Sequence, residues 1–490
     1  MKPLKSSFKA TLAAPRRLAD ISASLAARLR SSSRARSAVS LPAEILALIF
    51  ELGYGSHQDK TEARILVFTV SHVCRRWRGI AANHQMLWTD VIIVFNRHTL
   101  FWPIQQALTR SGTMRLDMLI TSTAEVDDTV LGNATKTVFE MVAGHAHRWR
   151  SVRAQCRTDI QLFYIMCSLH AVQAPALEDL QLFREIDGPG GVGASPVFGS
   201  FPSLITWAVG GLDGPVTHGI LAGGAPLLRS VTLRNILCVP PMQSIRRLRL
   251  DGVYTANSGS GRHDAAFDAL FSNLPLLEDL TISGRCTASI PLPTLERKTL
   301  PSLITLRILA HLGPGSGGPN TEFIRAISAP LLRHLVLERV SFRQAQQDLQ
   351  PADVDFPLLR RLSVAPGRDF PRGLLAFLDG RFPGVTHLNV QSPQKRPGWF
   401  LDGGTQAWEH LDVLTVHALV HCDVAPFCAV LAERGRSCAL PSRIVLRGCD
   451  VGIVSALLAG LYDRTLHIEV YTNARDDVPW YEDEETSEFW

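Results

Sequence analysis

PLLEDLTI at residues 275–282, PSLITLRI at 301–308, PLLRHLVL at 330–337 and PLLRRLSV at 357–364 are copies of one pattern, Pro-x-Leu-x-x-Leu-x-Leu. It recurs upstream as PALEDLQL from Pro175, PSLITWAV from Pro202 and PLLRSVTL from Pro226, and downstream as PGVTHLNV from Pro383. SIRRLRL from Ser244 and EHLDVLTV from Glu409 keep the apolar frame without the proline. Copies from Pro275 to Pro383 are spaced 26 to 29 residues apart, inside the roughly 20–29-residue period of leucine-rich repeats. The last two leucines of each copy alternate with polar residues, the period of a half-buried strand. The intervening segments carry helical apolar spacing, as in Phe267-Leu270-Phe271-Leu274, Phe323-Ile324-Ile327, Leu374-Leu375-Phe377-Leu378 and Val454-Leu457-Leu458-Leu461. One such unit cannot bury its own inner face, but stacked units bury each other's, each covered Leu contributing about 1.5–3 kcal/mol.

Fainter strands at 91–95, 116–120, 151–154, 444–446 and 466–470 extend the array over residues 90–472. The expected fold class is α/β: a short N-terminal helical module, then an irregular leucine-rich-repeat solenoid with a curved parallel sheet. The position after each L-x-x-L-x-L holds Glu185, Arg285, His311, Val340 or Gly367 rather than asparagine. Without a regular asparagine ladder, irregular turns and variable curvature are expected. Gly/Pro-rich stretches at 187–195, 210–215 and 313–319 read as long loops.

Ahead of the array, residues 41–53 read LPAEILALIFELG, and after a polar insert at 54–62 comes ARILVFTVSHVCRRWRGIAANHQMLW at 63–88. Pro42 suits a first helical turn, where its missing N–H costs nothing, and Glu44 favours the positive end of the helix dipole. Leu41, Ile45, Leu48, Ile49 and Leu52 recur at three- and four-residue spacing, giving one apolar face. A second helical run opens near Ser71, with Val70, Val73, Cys74, Trp77 and Ile80 on one face. A middle helix falls somewhere in 63–70. Helices this short are marginal alone and must pack together, leaving any surplus apolar face to a partner.

The pair of motifs, LPxEIL-x-x-IF followed by VCRRWR-x-IA and LW, resembles an F-box, in the F-box-like variant abundant in mushroom-forming fungi. The resemblance covers residues 41–89, with an insert between the helices that is longer and more polar than in a compact F-box. It implies docking on a small Skp-type adaptor, which bridges to a cullin ubiquitin ligase. The adaptor-facing residues it implies are Leu41, Pro42, Ile45, Ile49, Val73 and Trp77. The implied function is that of a non-catalytic substrate receptor; a repeat scaffold acting outside any ligase is the competing class.

Composition sets wider bounds. The 490 residues carry a formal charge of +5, too small and scattered to argue for nucleic acid. No uninterrupted apolar run reaches 18 residues, so no membrane partner is expected. Nine cysteines, odd in number and without a CxxC pair, suit reduced thiols in the cytoplasm or nucleus. Residues 1–40 are Arg- and Ser-rich with a single acid, Asp20, a pattern of either a disordered basic arm or an organelle transit peptide. Residues 473–490 form an acidic tail with interleaved aromatics, read as a solvated tail, a docking peptide or an intramolecular cover for basic surface.

No cofactor or metal site is expected. Gly188-x-Gly190-x-x-Gly193 matches a dinucleotide fingerprint by letters, but Ala194-Ser195-Pro196 cannot open the required helix. His417, His421, Cys422 and Cys428 lack a second ligand pair at finger spacing. With the repeat as ruler, the outward strand positions include Arg247, Arg249, Arg307, His334, Arg361 and His387, with Asp279 the one acid from Arg247 onward. Such a stripe would receive an acidic or phosphorylated segment of a target protein, arginine offering bidentate contacts.

Overall fold

The chain is represented by a computed structural model. It describes residues 41–57, 59–96, 101–122, 128–185, 219–236, 238–252, 270–283, 297–309, 322–340, 356–366, 373–391, 408–419, 424–437, 440–449 and 467–471, with a few isolated residues between them. The repeat at 202–209, the Gly/Pro-rich stretches, Phe267, Leu457, Leu458, Leu461, the arm and the tail lie outside these residues.

Among the described residues three helices come first: α1 (Ala43–Gly55), α2 (Lys60–Val73) and α3 (Arg75–Asn83), followed by a 3-10 turn at Gln85–Trp88. Asp59 caps α2, its carboxylate accepting from the Thr61 N–H at 2.8 Å. α1 runs to Gly55 and α2 starts at Lys60, so five of the nine residues of the expected polar insert are helical. Its polar residues mislead the sequence reading because Tyr54 and Lys60 turn toward the sheet and bond Asp90 there. The expected run through Ser71 is corrected too. Cys74 is fully extended and divides α2 from α3, while its Sγ accepts from the Trp77 N–H at 3.5 Å and caps the second helix.

Among the described residues a 14-stranded sheet follows. Its strands are β1 (Asp90–Phe95), β2 (Leu116–Ser122), β3 (Trp149–Cys156), β4 (Asp179–Arg184), β5 (Ser230–Arg234), β6 (Arg247–Asp251), β7 (Asp279–Ser283), β9 (Thr305–Leu309), β11 (His334–Val340), β12 (Arg361–Pro366), β13 (His387–Gln391), β14 (Val413–His417), β15 (Arg443–Arg447) and β16 (His467–Tyr471). All neighbours pair parallel and in chain order. Two further short strands, β8 (Lys298–Thr299) and β10 (Ile327–Ser328), pair with each other beside it. The faint strands at the array's ends are therefore real, as β1, β2, β3, β15 and β16.

Parallel neighbours need a crossover, and several described ones are helical: α4 (Phe101–Arg110), α5 (Asp128–Ala143), α6 (Asp159–His170), α7 (Glu322–Arg325), α8 (Leu374–Arg381) and α9 (Val424–Ser437). The curvature expected from the sequence is corrected: the sheet is not curled and, among the described residues, runs from β1 at one end to β16 at the other. Regular curvature needs the same small rotation at every repeat, whereas these crossovers range from a 16-residue helix to a four-residue one.

One continuous core lies beneath the sheet. The paired leucines of each repeat, such as Leu248 and Leu250, Leu280 and Ile282, and Leu335 and Leu337, are essentially solvent-free, as is the leucine that opens each strand (Leu228, Leu277, Leu303, Leu332). At the helical end the core takes in Leu46, Phe50, Val67, Val70, Leu87 and Trp88, so module and sheet share an interior. Arg148 closes the C-terminus of α4: it is buried, and its guanidinium donates to Leu108 O at 2.7 Å and Ser111 Oγ at 2.8 Å.

Candidate functional site

Two surfaces bear on function, and the first is the outer face of α1. Within that helix Leu46 and Phe50 point into the core, and the Phe50 ring meets Trp77 at 5.1 Å between centroids. Ile45, Leu48, Ile49 and Leu52, the residues with the regular apolar spacing, lie on the other side and are 44–66% exposed. Val73 at the end of α2 is similarly exposed. Of the residues singled out from sequence, Pro42, Ile45, Ile49 and Val73 are thus at the surface. Leu41 and Trp77 are partly buried and packed against the core. Trp88 anchors the far side, its indole donating to Ala81 O at 2.7 Å beneath the Arg110 guanidinium, 4.5 Å from the ring.

A polar cluster joins this module to the sheet, and the sequence reading had not found it. Lys60 donates to Asp90 on β1 and to Asp117 on β2, the latter at 3.2 Å. Arg150 on β3 donates to both oxygens of Asp117, and Tyr54 donates to Asp90. Burial disfavours the Asp117 carboxylate, but Arg150 and Lys60 outweigh it and hold the carboxyl below its usual range. Burial likewise opposes the Lys60 charge, and the two aspartates overcome it and raise its pKa. The phenol of Tyr54 is pushed up by burial and by the Asp90 carboxylate. Arg64 adds a bond to Ile92 O on β1 at 2.5 Å. The only sequence signal was the strand parity of residues 90–95 and 116–122, which places Asp90 and Asp117 side by side.

The second surface is the outward sheet face. Registers align Asp90, Asp117, Ser151 and Asp179 in one row that continues through Ser230, Arg247, Asp279, Thr305, His334, Arg361 and His387. Three of its four acids, Asp90, Asp117 and Asp179, lie on the module's side of β5, and Asp279 sits beside Arg247 in the middle of the row. The predicted exposed–buried alternation holds in β4, β5 and β6 but fails in β7, which is buried throughout, and in β9, buried at all but its first residue, so the six candidate residues are not equally accessible. Arg247 and Arg249 are exposed, Arg361 and His387 are half-buried, and Arg307 and His334 are buried. The Nη1 of Arg307 donates to both oxygens of Asp279, making a buried ion pair across β7 and β9. His334 Nε2 lies 3.0 Å from Ser363 Oγ, and burial together with Arg361 and Arg307 drives its pKa well down, so the imidazole is neutral at pH 7.

The row is therefore not a continuous band of exposed cations, because long side chains on adjacent strands bond one another before they meet solvent. Accessible arginines cluster nearer the module instead. Arg153 on β3 sits over the Phe183 ring at 5.1 Å, and Arg234 on β5 is exposed next to Arg247 and Arg249 on β6. Arg234 also pairs with Asp251 at 3.4 Å.

Comparison with known families adds one finding: the F-box-like family model matches residues 38–93. That span covers α1 to α3 and the first residues of β1. The chain thus carries an F-box-like domain, a protein-interaction module, on the end of a long parallel sheet. No curated protein matches the chain. Among the described residues no helix is long and apolar enough to cross a membrane.

Proposed function

We propose that this chain is the substrate-recognition subunit of a Skp–cullin–F-box ubiquitin ligase. The observation that carries the reading is the outer face of α1: Ile45, Leu48, Ile49 and Leu52 stay exposed although the module's own core is already closed by Leu46, Phe50 and Trp88. Four half-exposed branched aliphatic residues on one short helix form a patch that a partner can bury. On this reading Leu41, Pro42, Ile45, Ile49, Val73 and Trp77 form or support the adaptor surface, and the adaptor leads to a cullin. Residues 90–472 act as an irregular leucine-rich-repeat array that holds the target, flanked by the basic arm at 1–40 and the acidic tail at 473–490.

The target is an acidic or phosphorylated protein segment bound on the outward face. Arg247 and Arg249 are its direct contacts, Arg361 and His387 contribute from half-buried positions, and Arg307 and His334 shape the floor. The chain supplies proximity rather than chemistry: holding a target beside the charged ubiquitin carrier raises the effective concentration of its lysines. The F-box end of the outward face is the acid-rich end, so a target on β5 and β6 lies within a few strand spacings of the adaptor.

The test is recovery of tagged chain from its own cells, scored for adaptor, cullin and stabilised targets. Ile45→Ser/Ile49→Ser should lose adaptor and cullin together. Arg247→Glu/Arg249→Glu should keep both and lose targets. Adaptor without cullin in the unmutated chain would instead mark a scaffold acting outside a ligase.

A further inference from the structure

The turn that opens each strand carries an apolar ledge that the core does not require. In Pro-Leu-Leu the second leucine is buried and the first is not: Leu227, Leu276, Leu331 and Leu358 are 38–45% exposed, and Ile304 is 41% exposed two residues further along its own turn. Other repeats hold Ala176, Ser244, Ser302 or Gly384 at the position of the first leucine, so the fold tolerates small and polar residues there. The leucines nevertheless fall on neighbouring strands. β7, β9, β11 and β12 are adjacent, which places Leu276, Ile304, Leu331 and Leu358 along one sheet edge about 14 Å long at a strand spacing of about 4.8 Å.

Exposed arginines accompany them. Two residues after the first leucine stand Arg229, Arg333 and Arg360, with Arg246 at the same place on β6. Glu278 is the acid in that row between Arg229 and Arg360, and it is paired with Arg246. The ledge is therefore apolar and basic together, and it lies at the opposite ends of the strands from Tyr471, where the described chain ends.

The 19 residues after Tyr471 have the complementary composition. They contain seven acids, one arginine and four aromatics (Trp480, Tyr481, Phe489, Trp490). From Tyr471 to β12 is four strand spacings sideways and one strand length back, about 26 Å in all. A flexible chain of that length has an r.m.s. span of about 24 Å and a contour above 60 Å, so the reach fits.

We propose that the Pro-Leu ledge formed by Leu276, Ile304, Leu331 and Leu358, with Arg333 and Arg360, docks the chain's own acidic–aromatic segment at residues 476–490. The aromatics cover the aliphatic side chains, and the carboxylates face the guanidinium groups. A tethered segment sits at an effective concentration near the millimolar range, so even an affinity of about 100 μM keeps the ledge about nine-tenths occupied. The ledge becomes a second, competable interaction surface, distinct from the outer face of α1 and independent of adaptor binding.

The test uses the full chain and a fluorescent peptide of residues 476–490. Trp480→Ser, Tyr481→Ser, Phe489→Ser and Trp490→Ser together should vacate the ledge, so this variant should bind the peptide about tenfold more tightly than the unmutated chain. Adding Leu276→Ser, Leu331→Ser and Leu358→Ser should abolish binding with the thermal midpoint unchanged, since serine already stands at this position in three repeats, as Ser203, Ser244 and Ser302. Arg333→Glu/Arg360→Glu in the tail variant should weaken binding and flatten its salt dependence. Equal binding by the unmutated chain and the tail variant would overturn the proposal. So would binding that survives the leucine substitutions, or no binding by any variant.

Discussion

Replacing Arg307 with alanine tests whether the middle of the outward face is structure or contact surface. Arg307 and Asp279 are 9% and 7% exposed, and Nη1 of the arginine serves both carboxylate oxygens. Arg307→Ala leaves that carboxylate in a water-poor position between Arg247 and Thr305, its lateral neighbours. Removing one partner of a buried pair costs about 3–5 kcal/mol, while replacing both with apolar residues of similar volume is close to neutral. Arg247, one strand away, is exposed and can lean toward the orphaned carboxylate, so the lower end, about 3 kcal/mol, is expected for the single change. Asp279→Leu/Arg307→Met should stay within about 1 kcal/mol of the parent. Stacked repeats do not guarantee two-state unfolding, so the assay is hydrogen exchange of the β7 and β9 amides alongside the thermal midpoint. The single variant should lose protection there and the double variant regain it. If Arg307→Ala matches the parent within about 0.5 kcal/mol, the pair is solvated and Arg307 is available to a ligand.

Three further outcomes follow from the same geometry. Leu46→Ala should destabilise the helical module by about 2–5 kcal/mol, whereas Ile49→Ala, three residues on and half exposed, should change it by less than about 1 kcal/mol by thermal melting. Asp117→Asn should loosen the module from the sheet by about 1 kcal/mol at pH 7, a modest figure because Lys60 and Arg150 are half exposed. The folded carboxyl titrates below its unfolded value, so its stabilisation is present above about pH 4 and lost as pH falls through the folded pKa; the deficit of the variant should close there. His417 runs the other way in cause, its pKa pushed by burial and Arg447 from 6.5 to about 4. The unfolded state takes the proton first, so stability is full above about pH 6.5 and falls by about 3 kcal/mol toward pH 4. His417→Asn should flatten that slope in melts taken from pH 7 to pH 4.

The parallel strands were legible because each repeat writes its period twice, in the proline that opens the turn and in leucines spaced by two. Even the weak strands at 91–95 and 466–470 kept that parity, and parity alone put Arg247, Arg361 and His387 in one row. Accessibility was not legible. Whether Arg307 faces solvent depends on Asp279, 28 residues earlier and one strand over, and no local pattern carries that pairing. The outer face of α1 was legible as a stripe, yet spacing alone could not say that Ile45, Leu48 and Ile49 face away from the core while Leu46 and Phe50 enter it. Cys74 was read as part of a continuous helix because its neighbours keep helical spacing on both sides; the break comes from its extended backbone and its capping thiol. Lys60 and Tyr54 read as loop polarity because their partners, Asp90 and Asp117, lie beyond the module.

The most direct measurement is a titration of the purified chain with a purified Skp-type adaptor, for the parent and for Ile45→Ser/Leu48→Ser/Ile49→Ser. Each of these side chains has about half its surface left to bury, about 0.8–1.5 kcal/mol apiece at about 25 cal/mol per Å². Together they amount to about 2.5–4.5 kcal/mol, so the variant should bind about 100- to 1,000-fold more weakly with its melting temperature unchanged. Adaptor binding by the parent with the affinity retained in the variant would contradict the assignment of this face, and no binding by the parent would contradict the receptor account itself.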